Sequence, residues 1–265
     1  MGILTAQQAV ALYGAENPFT SPAALRASNY CAPADGALSR LLDWRRVSSR
    51  TRFAEKAFRA FVLSSAFSCV AGKAAIASAA YRFGRYSDFG SLASSEGLAR
   101  DLCAFVAERP FMSARYASFI AVFDESECGG ERWFETALWR ELQRLAELSA
   151  RHFAWDSRCA DDVEAPDFGF SFAGKAFFVV GLHPNSSRLS RRFLMPALVF
   201  NAHEQFVEAR RNGRFERIQR LVRARELTLQ GSVNPELSEF GRRSEARQYS
   251  GRHAESDWRC PFKAP

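Results

Sequence analysis

Apolar positions recur at helical spacing from Thr51 onward: Phe53, Ala57, Phe58, Phe61 and Val62 mark one stripe, which should meet a loop near Ser64-Ser65. Ser68-Cys69-Val70-Ala71-Gly72-Lys73 then opens an Ala-rich helical stretch to about Ala80. Residues 94–108 read as an amphipathic helix with Ser95 near its N-cap and Pro110 as its stop. Over 131–153 the apolar residues Trp133, Leu138, Leu142, Leu145 and Leu148 alternate with Arg and Glu close to the helical period, predicting the strongest helix of the chain, packed across a sheet. His203–Arg211 and 215–226 read as two further helices broken at Asn212-Gly213, where glycine is a natural C-terminal stop.

Strand patterns are fewer. Residues 116–123 (YASFIAVF) are rich in β-branched and aromatic side chains. Residues 168–172 and 177–182 flank Ala173-Gly174-Lys175-Ala176 as a β-hairpin, and 197–200 form a fourth strand entered through Pro196. Residues 1–50, with Asn17-Pro18, Ser21-Pro22 and Pro33, predict loop with short helices. The polar, Gly-rich tail 232–265 holds Tyr249, Trp258 and Phe262, so it is expected to wrap the body as ordered loop. The sum is one α+β domain over residues 1–265, an antiparallel sheet of about four strands packed with helices.

Composition narrows the class. Arginine supplies nearly all of the positive charge behind the net +7, a balance that suits nucleic acid, an anionic membrane or an anionic cofactor. The arginines are dispersed and no nucleic-acid reading module is present, so no nucleic-acid partner is expected. The six cysteines form no CxxC pair, which argues against structural zinc and a disulfide framework and for a reducing compartment. Residues 1–11 lack a basic segment followed by an apolar run, and nowhere do about twenty apolar residues follow one another. The expectation is a cytoplasmic protein without a membrane span.

Four histidines stand at 152, 183, 203 and 253. His183 follows the strand 177–182 and precedes Pro184, a placement that presents a ligand in a fixed direction and equally suits a histidine satisfying a loop carbonyl. His203 lies just beyond strand 197–200, where Asn201 is placed to cap the next helix and turn His203 inward; a water-facing histidine fits the same position. His152 and His253 read as surface residues. The spacing of His183 and His203 does not fit the close pairs of zinc sites. Haem needs one protein ligand, cations for two propionates and apolar walls, and the segment around His183, Arg188, Arg191 and Arg192 offers all three. The same arginines also suit a solvated loop. Cys69, at a helix mouth, is a weaker nucleophile candidate, because no partner histidine can be named for it.

The run Phe178-Val-Val-Gly-Leu-His-Pro-Asn-Ser-Ser-Arg188, with Arg191-Arg-Phe, Pro196, Phe200-Asn201, His203 and Gln205-Phe206, resembles the signature of the YqcI/YcgG family. Gly231-Ser-Val-Asn-Pro235, Gly241, Ser244-Glu-Ala246, Gln248-Tyr-Ser-Gly251 and Trp258-Arg-Cys-Pro-Phe262 extend the likeness, which is strong over about 165–262. Upstream, Ser68-Cys69-Val70 with Lys73-Ala-Ala75, and Arg82-Phe-Gly84, resemble its first motif, although Ser68 replaces an expected Pro and Ala71-Gly72 is inverted. Members of the family include haem enzymes that hydroxylate guanidines. The resemblance implies a haem b monooxygenase that uses O2 and two electrons from an external donor to N-hydroxylate L-arginine or a related guanidino compound. A haem-binding sensor or carrier without turnover is the alternative.

By position, His183 is the first choice for the iron ligand and His203 the second choice or a distal group, with Cys69 and Cys260 as thiolate alternatives. Arg188, Arg191 and Arg192, together with Lys73 of the first motif, are the cofactor-binding cations. Glu245 or Glu204 is the carboxylate expected to grip the guanidinium. A homodimer is compatible with all of this.

Overall fold

A strand such as Ser118–Phe123, apolar on both faces, belongs in the middle of a sheet with a layer on each side. The structure, a computed structural model, describes residues 16–34, 36–112, 114–124, 128–237 and 243–265. It is an α+β fold built on one seven-stranded sheet. The strands are β1 (Cys31–Ala34), β2 (Ala37–Arg40), β3 (Tyr81–Tyr86), β4 (Ser118–Phe123), β5 (Phe170–Phe172), β6 (Lys175–Leu182) and β7 (Ala197–Ala202), in spatial order β2-β1-β3-β4-β7-β6-β5. The helices are α1 (Pro22–Ala27), α2 (Ser49–Leu63), α3 (Val70–Ala77), α4 (Leu92–Glu108), α5 (Glu131–Ala150), α6 (His203–Arg211), α7 (Phe215–Gln230) and the short α8 (Ala246–Tyr249).

The expectation of about four antiparallel strands is corrected to a seven-stranded mixed sheet, because β3 and β4 pair in parallel. Three of these strands hid in the sequence. In β3 (YRFGRY) the alternation is carried by aromatics against arginines, and those arginines find carboxylates: Arg82 pairs with Glu108 and Arg85 with Asp124. β1 and β2 are four-residue strands in the stretch expected to be loop and short helix. The hairpin β5–β6 turns tightly through Ala173 (φ 48°) and Gly174 (φ 70°), and both positive angles match a two-residue turn that twists with the strands.

One sheet face packs Phe119, Phe123, Val179, Leu198 and Phe200 against α4 and α5; the other packs Phe83, Ile120, Val122 and Leu182 against α2 and the loop residue Phe193. Helix α4 begins earlier than expected. Its cap is Ser91, whose hydroxyl accepts the Ser94 amide, while Ser95 is buried and donates to Glu141 at 2.9 Å. Asn201 likewise caps nothing: it accepts from Ser118 Oγ at 2.7 Å, and α6 starts after Ala202 without a side-chain cap. The segment after α7 wraps the body as anticipated, burying Tyr249, Ala254 and Phe262, with Trp139 of α5 stacked on Tyr249 at 5.6 Å. Among the described residues no helix is long and apolar enough to cross a membrane.

Arg191 fastens this segment to the sheet. Its guanidinium donates to the carbonyls of Gly181 in β6 (3.0 Å), Tyr249 (3.3 Å) and Gln248 (3.1 Å), and burial lowers its pKa to about 10. The close approach needs a glycine at 181, since a Cβ there would stand 2.6 Å from the Phe134 ring and 2.8 Å from the Tyr249 carbonyl. Gly181→Ala should therefore lower unfolding stability by about 1–3 kcal/mol, measured by urea denaturation, because backbone and two packed helices must yield.

Candidate functional site

The apolar stripe of α7, Phe215, Ile218 and Val222, does not reach the two main cores; with Phe206 of α6 and Phe178 of β6 it walls an open cavity. Its accessible volume is about 190 Å³, and it opens to solvent at its mouth. Phe178 meets Phe206 edge-on at 5.9 Å and Tyr249 edge-on at 5.6 Å, so the floor is aromatic. Arg210, Arg223 and Arg243 line the same cavity as His203 and Glu245. It is therefore an apolar slot with arginines and one paired acid–base couple.

That couple is built from distant parts of the chain. Strand β7 runs straight into α6, which sets His203 at the helix start, and α8 brings Glu245 to it. His203 Nε2 donates to both carboxylate oxygens of Glu245, at 2.8 and 2.9 Å. The Tyr249 hydroxyl donates to Glu245 Oε1 at 2.6 Å, accepts the Phe170 amide at 3.2 Å and lies 3.1 Å from the Phe177 carbonyl. Burial and the Glu245 charge push the Tyr249 hydroxyl well above its ordinary pKa, so it stays a neutral donor. Gly169 leaves room for the imidazole, since a Cβ there would stand 2.8 Å from His203 Cε1. With Nε2 fixed on a carboxylate, Nδ1 is the nitrogen left to accept a ligand bond, the arrangement metal-bound histidines favour.

His183 is placed elsewhere. Leu182 pairs with Ala197 and Phe177 with Ala202, so His183 and His203 stand at opposite ends of the β6–β7 pair, roughly 20 Å apart at about 3.4 Å per residue. The joint site expected from the sequence, with His183 on iron and His203 beside it, is thus not brought together. His183 is fully buried, stacked on Phe134 with ring centroids 4.4 Å apart, and neither ring nitrogen has a hydrogen-bond partner among the described residues. Desolvation lowers its pKa to about 4.

The arginines expected at propionates hold the fold. Arg188 is buried against Glu226 at 2.5 Å and Ser232, Arg191 clamps the C-terminal segment, and Arg192 donates to the Ser186 carbonyl at 2.8 Å. Cys69 caps α3 by accepting the Gly72 amide at 3.4 Å, and the Lys73 ammonium donates to the Ser64 carbonyl at 2.6 Å. Glu204 lines a second, smaller pocket, 3.7 Å from Arg109. Burial pushes the Cys260 thiol up to about 12, and all six cysteines are free. His152 meets the Phe19 ring edge-on, and His253 contacts Glu236 at 3.0 Å. Of the expected groups, His203 and Glu245 alone share the cavity. Arg210, Arg223, Arg243 and the anchor Tyr249 were not foreseen; the helical stripe of 215–226 was the one sequence signal pointing to this wall.

Among the described residues no three His, Cys, Asp or Glu side chains converge as a metal-binding group. Haem asks for less, a single nitrogen donor with cations and apolar walls, and the residues around His203 fit it. The YqcI/YcgG family model matches residues 58–263, and the chain belongs to that family. No curated protein and no solved structure is significantly similar to it.

Two outcomes follow. Tyr249→Phe leaves a buried carboxylate and a strand amide short of a partner and should lower stability by about 1–3 kcal/mol in urea unfolding. For His183, the unfolded chain takes up a proton near pH 6.5 while the folded state stays neutral to about 4. Its contribution is therefore whole above about pH 6.5 and lost as pH falls toward 4. Asp101 and Glu141 run the other way, because burial raises them to about 6 and 7 and their contribution fades as pH rises through those values. The difference between wild type and His183→Phe across this range isolates the histidine: the acid-side loss of stability should be shallower in the variant.

Proposed function

We propose that this member of the YqcI/YcgG family is a haem-dependent monooxygenase that N-hydroxylates a guanidino group, with L-arginine giving N-ω-hydroxy-L-arginine as the first substrate to test. The observation that carries the reading is the cavity in which His203, backed by Glu245, meets apolar walls and Arg210, Arg223 and Arg243. His203 takes the role of iron ligand in place of the fully buried His183, and the cavity arginines take the propionates in place of Arg188, Arg191 and Arg192. Haem, when bound, supplies reductive activation of O2: one oxygen atom enters an N–H bond, the other leaves as water, and two electrons and two protons are consumed.

The remaining work falls to this chain's own residues. Glu245 accepts from His203 Nε2, which leaves Nδ1 as the nitrogen that would bind iron. Tyr249 holds that carboxylate against the strands, which fixes the ring's orientation. Phe178, Phe206, Phe215 and Val222 give the cavity apolar walls, which lower the local dielectric and strengthen charge interactions against them. A guanidinium stays protonated at neutral pH, and its receiving carboxylate would stand on the side of the haem away from His203, so Glu245, committed to His203 and Tyr249, is not that group.

Protein purified after expression with haem supply should show a Soret band that His203→Ala abolishes and His183→Ala retains. With O2 and a reductant it should convert L-arginine to the N-hydroxy product. A red protein that turns over nothing in a broad guanidine panel is a haem sensor or carrier, and a colourless one overturns the cofactor assignment. Loss of the band in His183→Ala alone moves the ligand to the other end of the sheet.

A further inference from the structure

Helix α7 has two faces. One, Phe215, Ile218 and Val222, lines the cavity; the other is exposed and carries Arg217, Arg220 and Arg225, continued by Arg211 and Arg214 at the turn from α6. Among the described residues none of these arginines forms a side-chain hydrogen bond or ion pair, whereas Arg188, Arg247 and Arg252 around the body are all bound to carboxylates. Part of the arrangement is unfavourable for the helix itself, offset by the exposed Glu216 of its first turn, four residues before Arg220. Arg214 and Arg217 sit at its positive N-terminal end, and Arg217 and Arg220 repel at three-residue spacing. The positive field also reaches Lys73 on the neighbouring α3, whose pKa is lowered by desolvation and by Arg225. Among these charges Leu221 (41 % exposed) and Leu227 (55 % exposed) face solvent, a mixture of like charge and isolated apolar contact that suits a transient protein partner.

We infer that this outer face of the α6–α7 hairpin is the docking surface for the electron donor, an acidic one-electron carrier protein of the iron–sulfur or flavin type. The inference rests on the haem reading above. The position fits the task, because only the thickness of one helix, about 10 Å, separates this face from the cavity. Each turnover takes two electrons, so two encounters each oxidise one reduced carrier, and a weak, fast, electrostatically steered contact serves that exchange. Arg217, Arg220 and Arg225 do not line the cavity, so reversing them changes the surface alone.

The test uses the full chain and an acidic plant-type [2Fe–2S] ferredoxin as probe. Binding is measured directly by interferometry, and the Soret band of each protein is recorded separately. Wild type should bind the ferredoxin at low ionic strength and lose about tenfold in affinity at physiological salt. The triple variant Arg217→Glu/Arg220→Glu/Arg225→Glu should bind at least about tenfold more weakly, with unchanged circular dichroism and unchanged dithionite-driven turnover, while the triple Arg→Lys variant should bind as wild type does. Equal binding by the charge-reversed variant, or capture of duplex DNA or anionic vesicles by this face without ferredoxin binding, overturns the proposal. A colourless protein that still binds ferredoxin through these arginines removes the haem reading and leaves the docking face standing.

Discussion

A tyrosine hydroxyl with no access to water must find its partners inside the protein, and in this chain Tyr249 finds them on both sides of a boundary. One side is the sheet, through the Phe170 amide and the Phe177 carbonyl; the other is the site, through Glu245 and, beyond it, His203. A strand pair, a short C-terminal helix and the start of α6 are thereby held in one hydrogen-bonded chain. Buried polar chains of this kind are stable only when each member is satisfied, so the site's geometry and the fold's integrity are one constraint. Arg191 reinforces it by binding the carbonyls of Gly181, Gln248 and Tyr249.

The division of arginines follows from burial. Arg188 and Arg191 are desolvated and held by a carboxylate and carbonyls, so they stabilise the body and are not available to a ligand. Arg210, Arg223 and Arg243 line a cavity, and Arg217, Arg220 and Arg225 face water. One residue type thus serves as a structural clamp, as cavity lining and as a surface field, and the surrounding dielectric decides which. The histidines divide in the same way. His183 is a buried, stacked, neutral ring, while His203 keeps a carboxylate partner and an open cavity.

Much of the architecture was legible in the chain. The helices near 51–63, 131–150 and 203–230, the hairpin β5–β6, strands β4 and β7 and the wrapping tail all carry local apolar periodicity or turn chemistry, and such signals need only neighbouring residues. The family was legible too, through motifs that contain both His203 and Glu245. What periodicity could not show were β1, β2 and β3, whose short length or interleaved arginines become strand-like only once Glu108 and Asp124 neutralise Arg82 and Arg85.

The sequence by itself determined an α+β chain of this family and a short set of polar residues worth testing. Only the tertiary structure decided which of them meet. The β6–β7 register sets His183 and His203 at opposite ends of the sheet, α8 delivers Glu245 to His203, and the exposure of one helix face turns dispersed arginines into a surface. Each of these depends on long-range pairing between residues distant in the chain, and local pattern carries no information about which distant partner a side chain will find.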